Sequence, residues 1–267
     1  MNDEKIKTAA EAAIQKNPTR RIISFPWNGV TYWIKRKLSN RRNTWIKYSA
    51  EKEFLYEVAR ITIAARVHPE LVPHIEVLTP DYIVTADSGP DLCYWMKTPD
   101  LDKDEKLRIL ESAGAGLAKL HESKIIHGRP ALRDITFKNE KITFLDWQSR
   151  LYFKDTAKQK IQDVLMLLHG LYRENYTEEA LYAGALEKGY KNAAGEETWE
   201  ETSQLLKKYR LIGQAAKKLN RFHWKDVEAT KKIYAHFYQR KILSIHIRRL
   251  ASVLFYSHLR ITRNILP

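Results

Sequence analysis

The sequence predicts an α+β fold in two unequal parts, a small antiparallel sheet near the front of the chain and a larger helical region behind it. Three observations carry this. Residues 21–27 and 30–35 are rich in aromatic and β-branched side chains and flank Asn28-Gly29, the strongest short hairpin signal because both turn positions call for positive φ. Two further apolar runs, 75–78 and 82–86, have strand length and lead into the turn-rich Asp87-Ser88-Gly89-Pro90-Asp91. From Asp102 onward apolar residues recur at helical spacing instead.

Taken in order, residues 5–16 form a helix that Asn17-Pro18 ends, since the residue before a proline disfavours helical backbone. In the second hairpin strand, alternation puts Tyr32 and Ile34 on one face and Thr31, Trp33 and Lys35 on the other. A helix over 49–65 follows from Phe54, Leu55, Val58, Ile61 and Thr62. A longer one over 102–122 turns Leu107, Leu110, Ala113, Leu117 and Leu120 inward, with Asp102, Asp104 and Glu105 at its dipole-positive start. His121, at its end, reads as a C-terminal cap. Beyond Gly170 helices are expected over 178–188, 199–217 and 224–242. The last segment, 245–265, aligns Ile247, Leu250, Ala251 and Leu254 against Arg248, Arg249, Arg260 and Arg263. It reads as a terminal helix with a basic outer face, or as one lying on an anionic membrane.

Composition narrows the function classes. A chain of 267 residues with 44% hydrophobic content and only 10 Gly and 9 Pro has enough apolar material for a large core and is neither fibrous nor disordered. Its one cysteine, Cys93, excludes an intramolecular disulfide framework. The charged start has no apolar signal region, and no apolar run is long enough to span a bilayer, so a cytoplasmic location is expected. The nine histidines form no zinc motif, and no Walker A, Rossmann or G-x-S-x-G pattern occurs. The net charge of +14 is concentrated in two acid-free stretches, between Glu11 and Glu51 and after Glu228. Such a charge attracts polyanions, whether nucleotide, anionic lipid or nucleic acid, although no nucleic-acid module is recognisable and nucleic acid is not expected.

The stretch that carries chemistry is His127-Gly128-Arg129-Pro130-Ala131-Leu132-Arg133-Asp134-Ile135, followed by Ile142-Thr143-Phe144-Leu145-Asp146-Trp147. Asp134 and Asp146 in it are twelve positions apart. Upstream, Lys35 ends an aromatic, β-branched strand, and the next helix offers Glu51, Glu53 and Glu57 as its partner. Glu51 is preferred, because Phe54, Leu55 and Val58 follow it three, four and seven positions later.

The ordered series Lys35, Glu51, the turn near Ala86, His127, Asp134, Asp146 and Asp163 resembles kinase-like phosphotransferases, most closely the bacterial lipopolysaccharide kinase family that phosphorylates heptose or Kdo sugars. The resemblance implies a two-lobed protein-kinase-like fold, with a small antiparallel-sheet N-lobe over 1–86 and a larger, mainly helical C-lobe over 87–267. It implies ATP and Mg²⁺ as cofactors, Lys35 on the phosphates, and backbone groups of Thr85, Ala86 and Asp87 at the adenine edge. Asp134 and Asp146 would hold the metal, His127 would be a packed structural residue, and Asp163 would accept backbone N–H groups beside it. The partners it implies are a nucleotide, an anionic or lipid-linked sugar acceptor, and the cytoplasmic face of the inner membrane.

The departures from the pattern are specific. No glycine precedes Gly29, so a glycine-rich phosphate loop is missing or rebuilt. Seventeen positions from Asp146 to Asp163 leave no room for a phosphorylatable activation segment, and Trp147-Gln148 replaces Phe-Gly. Arg129 stands two residues after His127, where a catalytic aspartate is expected, and a guanidinium accepts no proton. Arg129 is then an electrostatic clamp on phosphate, with Asp134 taking the hydroxyl proton, or the chain is a pseudokinase-like nucleotide-binding protein without phosphotransfer.

Overall fold

A computed structural model describes residues 2–38, 50–147, 153–209 and 225–238 of the chain. Two compact units are present, 1–202 and 203–267. In the first, α1 (Asn2–Lys16) precedes the hairpin β1 (Ile22–Trp27) and β2 (Val30–Arg36), then α2 (Ala50–Val67), β3 (Ile75–Leu78) and β4 (Tyr82–Ala86). The helical part follows: α3 (Leu92–Lys97), α4 (Lys103–Glu122), the small hairpin β5 (Ile135–Lys138) and β6 (Lys141–Phe144), α5 (Thr156–Arg173), α6 (Glu179–Tyr190) and α7 (Glu196–Lys208), which runs into the second unit. In that second unit residues 225–238 are helical, and the hydroxyls of Tyr234 and Tyr238 donate to the carbonyls of Tyr209 and Leu206. The chain is thus α+β, a small antiparallel sheet with a larger helical part.

The four-stranded sheet has the order β1-β2-β4-β3, antiparallel throughout. Its first turn is made by Asn28 (φ 50°) and Gly29 (φ 78°), both in the left-handed region that this tight hairpin requires. Alternation along β2 decides what each face does. Tyr32 and Ile34 join Ile6 and Ala10 of α1, Ile23 and Phe25 of β1, and Val77, Tyr82 and Val84 in one apolar layer, so α1 closes the back of the sheet. Lys35, one residue out of phase, is left on the opposite face.

In the helical part α4 lies against α6, and a Cβ at Gly114 or Gly189 would collide with the backbone of the facing helix at Leu186 or Glu111. Bare glycine surfaces let these helices approach closely enough to bury Leu110, Leu117, Leu120, Leu186 and Tyr190. The β5–β6 hairpin is buried at Ile135, Phe137, Ile142 and Phe144, which anchors the short segments carrying Asp134 and Asp146. Among the described residues no helix is long and apolar enough to cross a membrane. The expected helix over 245–265 lies outside the described residues, as does the far part of the expected helix over 199–217.

Candidate functional site

The site forms where the free face of the sheet meets the β5–β6 hairpin. Lys35 Nζ donates to Glu57 Oε1 of α2 at 2.5 Å and to Asp146 Oδ1 at 2.9 Å. The carboxylate that braces Lys35 is therefore Glu57, not Glu51. Glu51 lies 3.5 Å from Lys37, and its side chain is 64% exposed against 6% for Glu57. The reason is helical phase: Glu57 stands three residues after Phe54 and four before Ile61, both buried, so it sits inside the apolar stripe, while Glu51 sits above it. A charge embedded in such a stripe needs a partner, which is a signal in the sequence that Glu57 is paired but not with which group. Burial pushes the Glu57 carboxyl above its usual range, against the pull of Lys35.

Asp146 takes the left-handed backbone region at φ 62°, which aspartate tolerates better than most residues. Burial opposes its ionisation, but the Lys35 ammonium and Arg129 guanidinium outweigh burial and hold its carboxyl below the usual range. Asp134 closes a 3₁₀ turn over 132–134, and its carbonyl accepts from Leu145 N at 2.7 Å, which ties the two aspartate segments together. Burial, helped by the charge of Asp146, pushes Asp134 up to about 6 against Arg129 and Arg133. Arg129 Nη2 stands 3.2 Å from Asp146 Oδ2 and 3.7 Å from Asp134 Oδ2.

Behind this cluster lies a second one. Asp163, fully buried on α5, accepts from His127 N at 2.7 Å and Gly128 N at 2.6 Å. Gly128 has φ 93°, a backbone state in which a side chain would be strained. His121 Nε2 lies 3.1 Å from Asp163 Oδ2 and its Nδ1 2.7 Å from the Tyr190 hydroxyl, so His121 is a core residue supporting the anchor and not a helix cap. The imidazole of His127 is completely buried beside the Trp147 ring and donates from Nε2 to Leu145 O at 2.7 Å. Burial lowers its pKa to about 4, which leaves it neutral and suits a structural role.

Arg60 was not singled out in the sequence. Its guanidinium donates to the carbonyls of Trp147 (2.8 Å), His127 (2.6 Å) and Ile126 and lies over the Trp147 indole. It thereby ties α2 to the loop at His127 and to the residue after Asp146. Its position one residue short of the stripe residue Ile61 looks like ordinary surface in a helical projection, and no local pattern distinguishes it.

Ala86 N donates to His74 O at 2.9 Å and Asp87 N to Thr31 O at 3.0 Å, because β4 is paired on both sides to its end. Thr85 pairs with Trp33 and Ile75. Of the backbone groups of residues 85–87, the N–H groups of Ala86 and Asp87 are therefore already bonded. The Asp87 carboxylate accepts from Trp33 Nε1, Gly89 N and Lys138 Nζ.

Among the described residues no group of three or more His, Cys, Asp or Glu side chains is placed to hold a metal ion. Asp134 and Asp146 nevertheless fit Mg²⁺ carried in with a triphosphate, which needs only one or two protein carboxylates. Asp134 Oδ2 supports the fit, being buried with no hydrogen-bond partner.

No family model matches the chain. An uncharacterized protein of Haemophilus influenzae is 29% identical over 163 residues, covering 60% of this chain and 66% of that protein, just under two thirds. The KEOPS complex subunit Bud32 of Pyrococcus abyssi is 26% identical over 220 residues, covering 78% of this chain and 94% of that protein. The fold is protein-kinase-like. This similarity, with the small sheet, the helical part and the cluster between them, supports kinase-like, ATP-dependent chemistry in general. Neither relative's name mentions lipopolysaccharide.

Proposed function

We propose that the chain is an ATP- and Mg²⁺-dependent phosphotransferase acting on a small hydroxyl acceptor, a lipopolysaccharide-core sugar or a similar anionic or lipid-linked compound at the cytoplasmic membrane face. The observation that carries the phosphotransfer part is the Lys35 ammonium held between Glu57 and Asp146, with Asp134 close by across Arg129. On this reading the lobe boundary falls at 86/87. Lys35, held extended by Glu57, binds the α/β-phosphates. Asp134 and Asp146 would hold Mg²⁺, which would supply neutralisation of phosphate charge. Asp134 accepts the acceptor's hydroxyl proton as its oxygen bonds to the γ-phosphorus and the bond to the bridging oxygen breaks, releasing ADP. Arg129, 42% exposed, offsets charge on the transferring group or on a phosphorylated acceptor. The acceptor class rests on the motif resemblance and on the +14 charge in its two acid-free stretches.

One observation favours the second reading, a pseudokinase-like nucleotide-binding or regulatory protein: Arg129 occupies the place of the expected base and is ion-paired to Asp146. A thermal-shift titration with ATP and Mg²⁺, followed by ATP consumption with and without a core-sugar acceptor, tests both. Binding with acceptor-dependent turnover supports the transferase, and binding with a flat trace supports the pseudokinase. No response to nucleotide at any metal concentration would sink both.

A further inference from the structure

Arg129 is the group whose placement the phosphotransfer scheme does not require before a nucleotide arrives. A single nitrogen, Nη2, reaches Oδ2 of Asp146 at 3.2 Å and Oδ2 of Asp134 at 3.7 Å, so it stands against both carboxylates that would hold a divalent cation. Lys35 covers the other oxygen of Asp146 at 2.9 Å, and Arg133 Nε lies 3.8 Å from the other oxygen of Asp134. Glu57, Asp134 and Asp146 thus each lie within 4 Å of a cation from among Lys35, Arg129 and Arg133. The guanidinium is also seated: its Nε is buried without a partner, and the Arg129 carbonyl accepts from Ala131 N at 2.9 Å just after Pro130. A metal entering this cluster meets a positive charge already bound to its ligands, and a guanidinium cannot shed that charge by losing a proton.

We propose that Arg129 is a resident cation of the site that competes with divalent metal for Asp134 and Asp146. Metal binds when Arg129 leaves the two carboxylates, and the phosphate of an incoming nucleotide is the group that draws it away. The inference rests on the nucleotide-site reading for that second step alone; the competition itself is a property of the chain's own residues. One consequence is that wild-type protein holds a nucleotide with little help from metal, because Arg129 and Lys35 already supply cationic charge.

Direct Mn²⁺ binding without nucleotide, read from the electron paramagnetic resonance of the free ion, tests the competition. Arg129→Gln keeps a polar side chain, shorter by two atoms, and removes its charge, and it should bind Mn²⁺ at least about tenfold more tightly than wild type, the worth of two half-exposed ion pairs. Arg129→Lys, a cation of different shape, should stay near wild type, and Asp146→Asn should abolish the site in either background. Equal Mn²⁺ affinity in wild type and Arg129→Gln overturns the proposal, as does tighter binding by wild type. In a parallel arm with a non-hydrolysable ATP analogue, wild type should bind in excess chelator to within about tenfold of its affinity in Mg²⁺, while Arg129→Gln should need the metal. If the analogue binds none of the proteins, the nucleotide reading fails, and the Mn²⁺ arm still decides the competition.

Discussion

Asp163 and the Asp134–Asp146 pair are built from the same side chain for opposite ends. Both oxygens of Asp163 are taken, by two backbone N–H groups and by His121, at zero exposure. In the cleft, Asp134 Oδ2, Glu57 Oε2 and Arg129 Nε are buried with no hydrogen-bond partner, and the cations present reach the carboxylates at 2.5 to 3.8 Å. A saturated buried charge fixes backbone geometry, since any movement strands it in low dielectric. An unsaturated cluster of both signs keeps lone pairs for something that comes and goes. Asp163 should therefore answer to mutation mainly in stability, and the cleft mainly in ligand binding and turnover.

The largest expected effect is on the anchor. Asp163→Asn keeps the volume but sets an amide against the N–H groups of His127 and Gly128, and should cost about 3–5 kcal/mol of stability, the scale of breaking a buried charged network. Chemical denaturation measures it, and a loss below about 1 kcal/mol would erase the contrast between the two sites. Next is Arg129→Ala, which should lower turnover by at least ~10²-fold at saturating Mg²⁺ while unfolding near the wild-type midpoint. Robust turnover unaffected by the substitution refutes the clamp.

A smaller effect is expected at the lysine brace. Lys35→Met and Glu57→Gln should each weaken nucleotide binding by about tenfold, and the double variant should be no worse than the worse single, because the two act as one unit. Glu51→Gln should bind as wild type; if it alone weakens binding, the Lys35–Glu57 pairing does not govern the site. The smallest effect is a pH slope. The folded pKa of His127 is depressed from 6.5 to about 4, so between those values the unfolded chain binds a proton that the folded one does not, and stability falls as pH falls. His127→Gln keeps a donor for Leu145 O and has no such proton, so from pH 6.5 to 5.5 it should lose about 1 kcal/mol less than wild type. The opposite contribution of Asp134, whose folded pKa is raised, is common to both proteins and cancels in that difference. Parallel stability curves would show that the imidazole is not held neutral.

The local parts of this architecture were legible from the chain alone. Asn28-Gly29 announces its hairpin because two successive positive φ values select those residue types. Tyr32 and Ile34 declare a buried face, and so place Lys35 on the other, because the strand period is two. Asp134 and Asp146 stand out by their motif and spacing, although the β5–β6 hairpin that joins them is seen only in the structure. What only the tertiary structure decided lies in contacts between distant segments. Helical periodicity ranks Glu51, Glu53 and Glu57 but does not say which meets Lys35; that choice depends on how α2 lies on the sheet, across 22 residues of chain. His121 reads as a cap until α5 and α6 bring Asp163 and Tyr190 to it, and Arg60 reads as surface until the His127 loop offers it carbonyls 66 and 67 positions away. That the N–H groups of Ala86 and Asp87 are spent on backbone pairing is likewise not revealed by a turn-rich sequence after β4. Propensity and period act within a few residues and are written in them, whereas the partner of a buried charge is set by whichever distant group relieves its desolvation, and that is known only once the segments are packed.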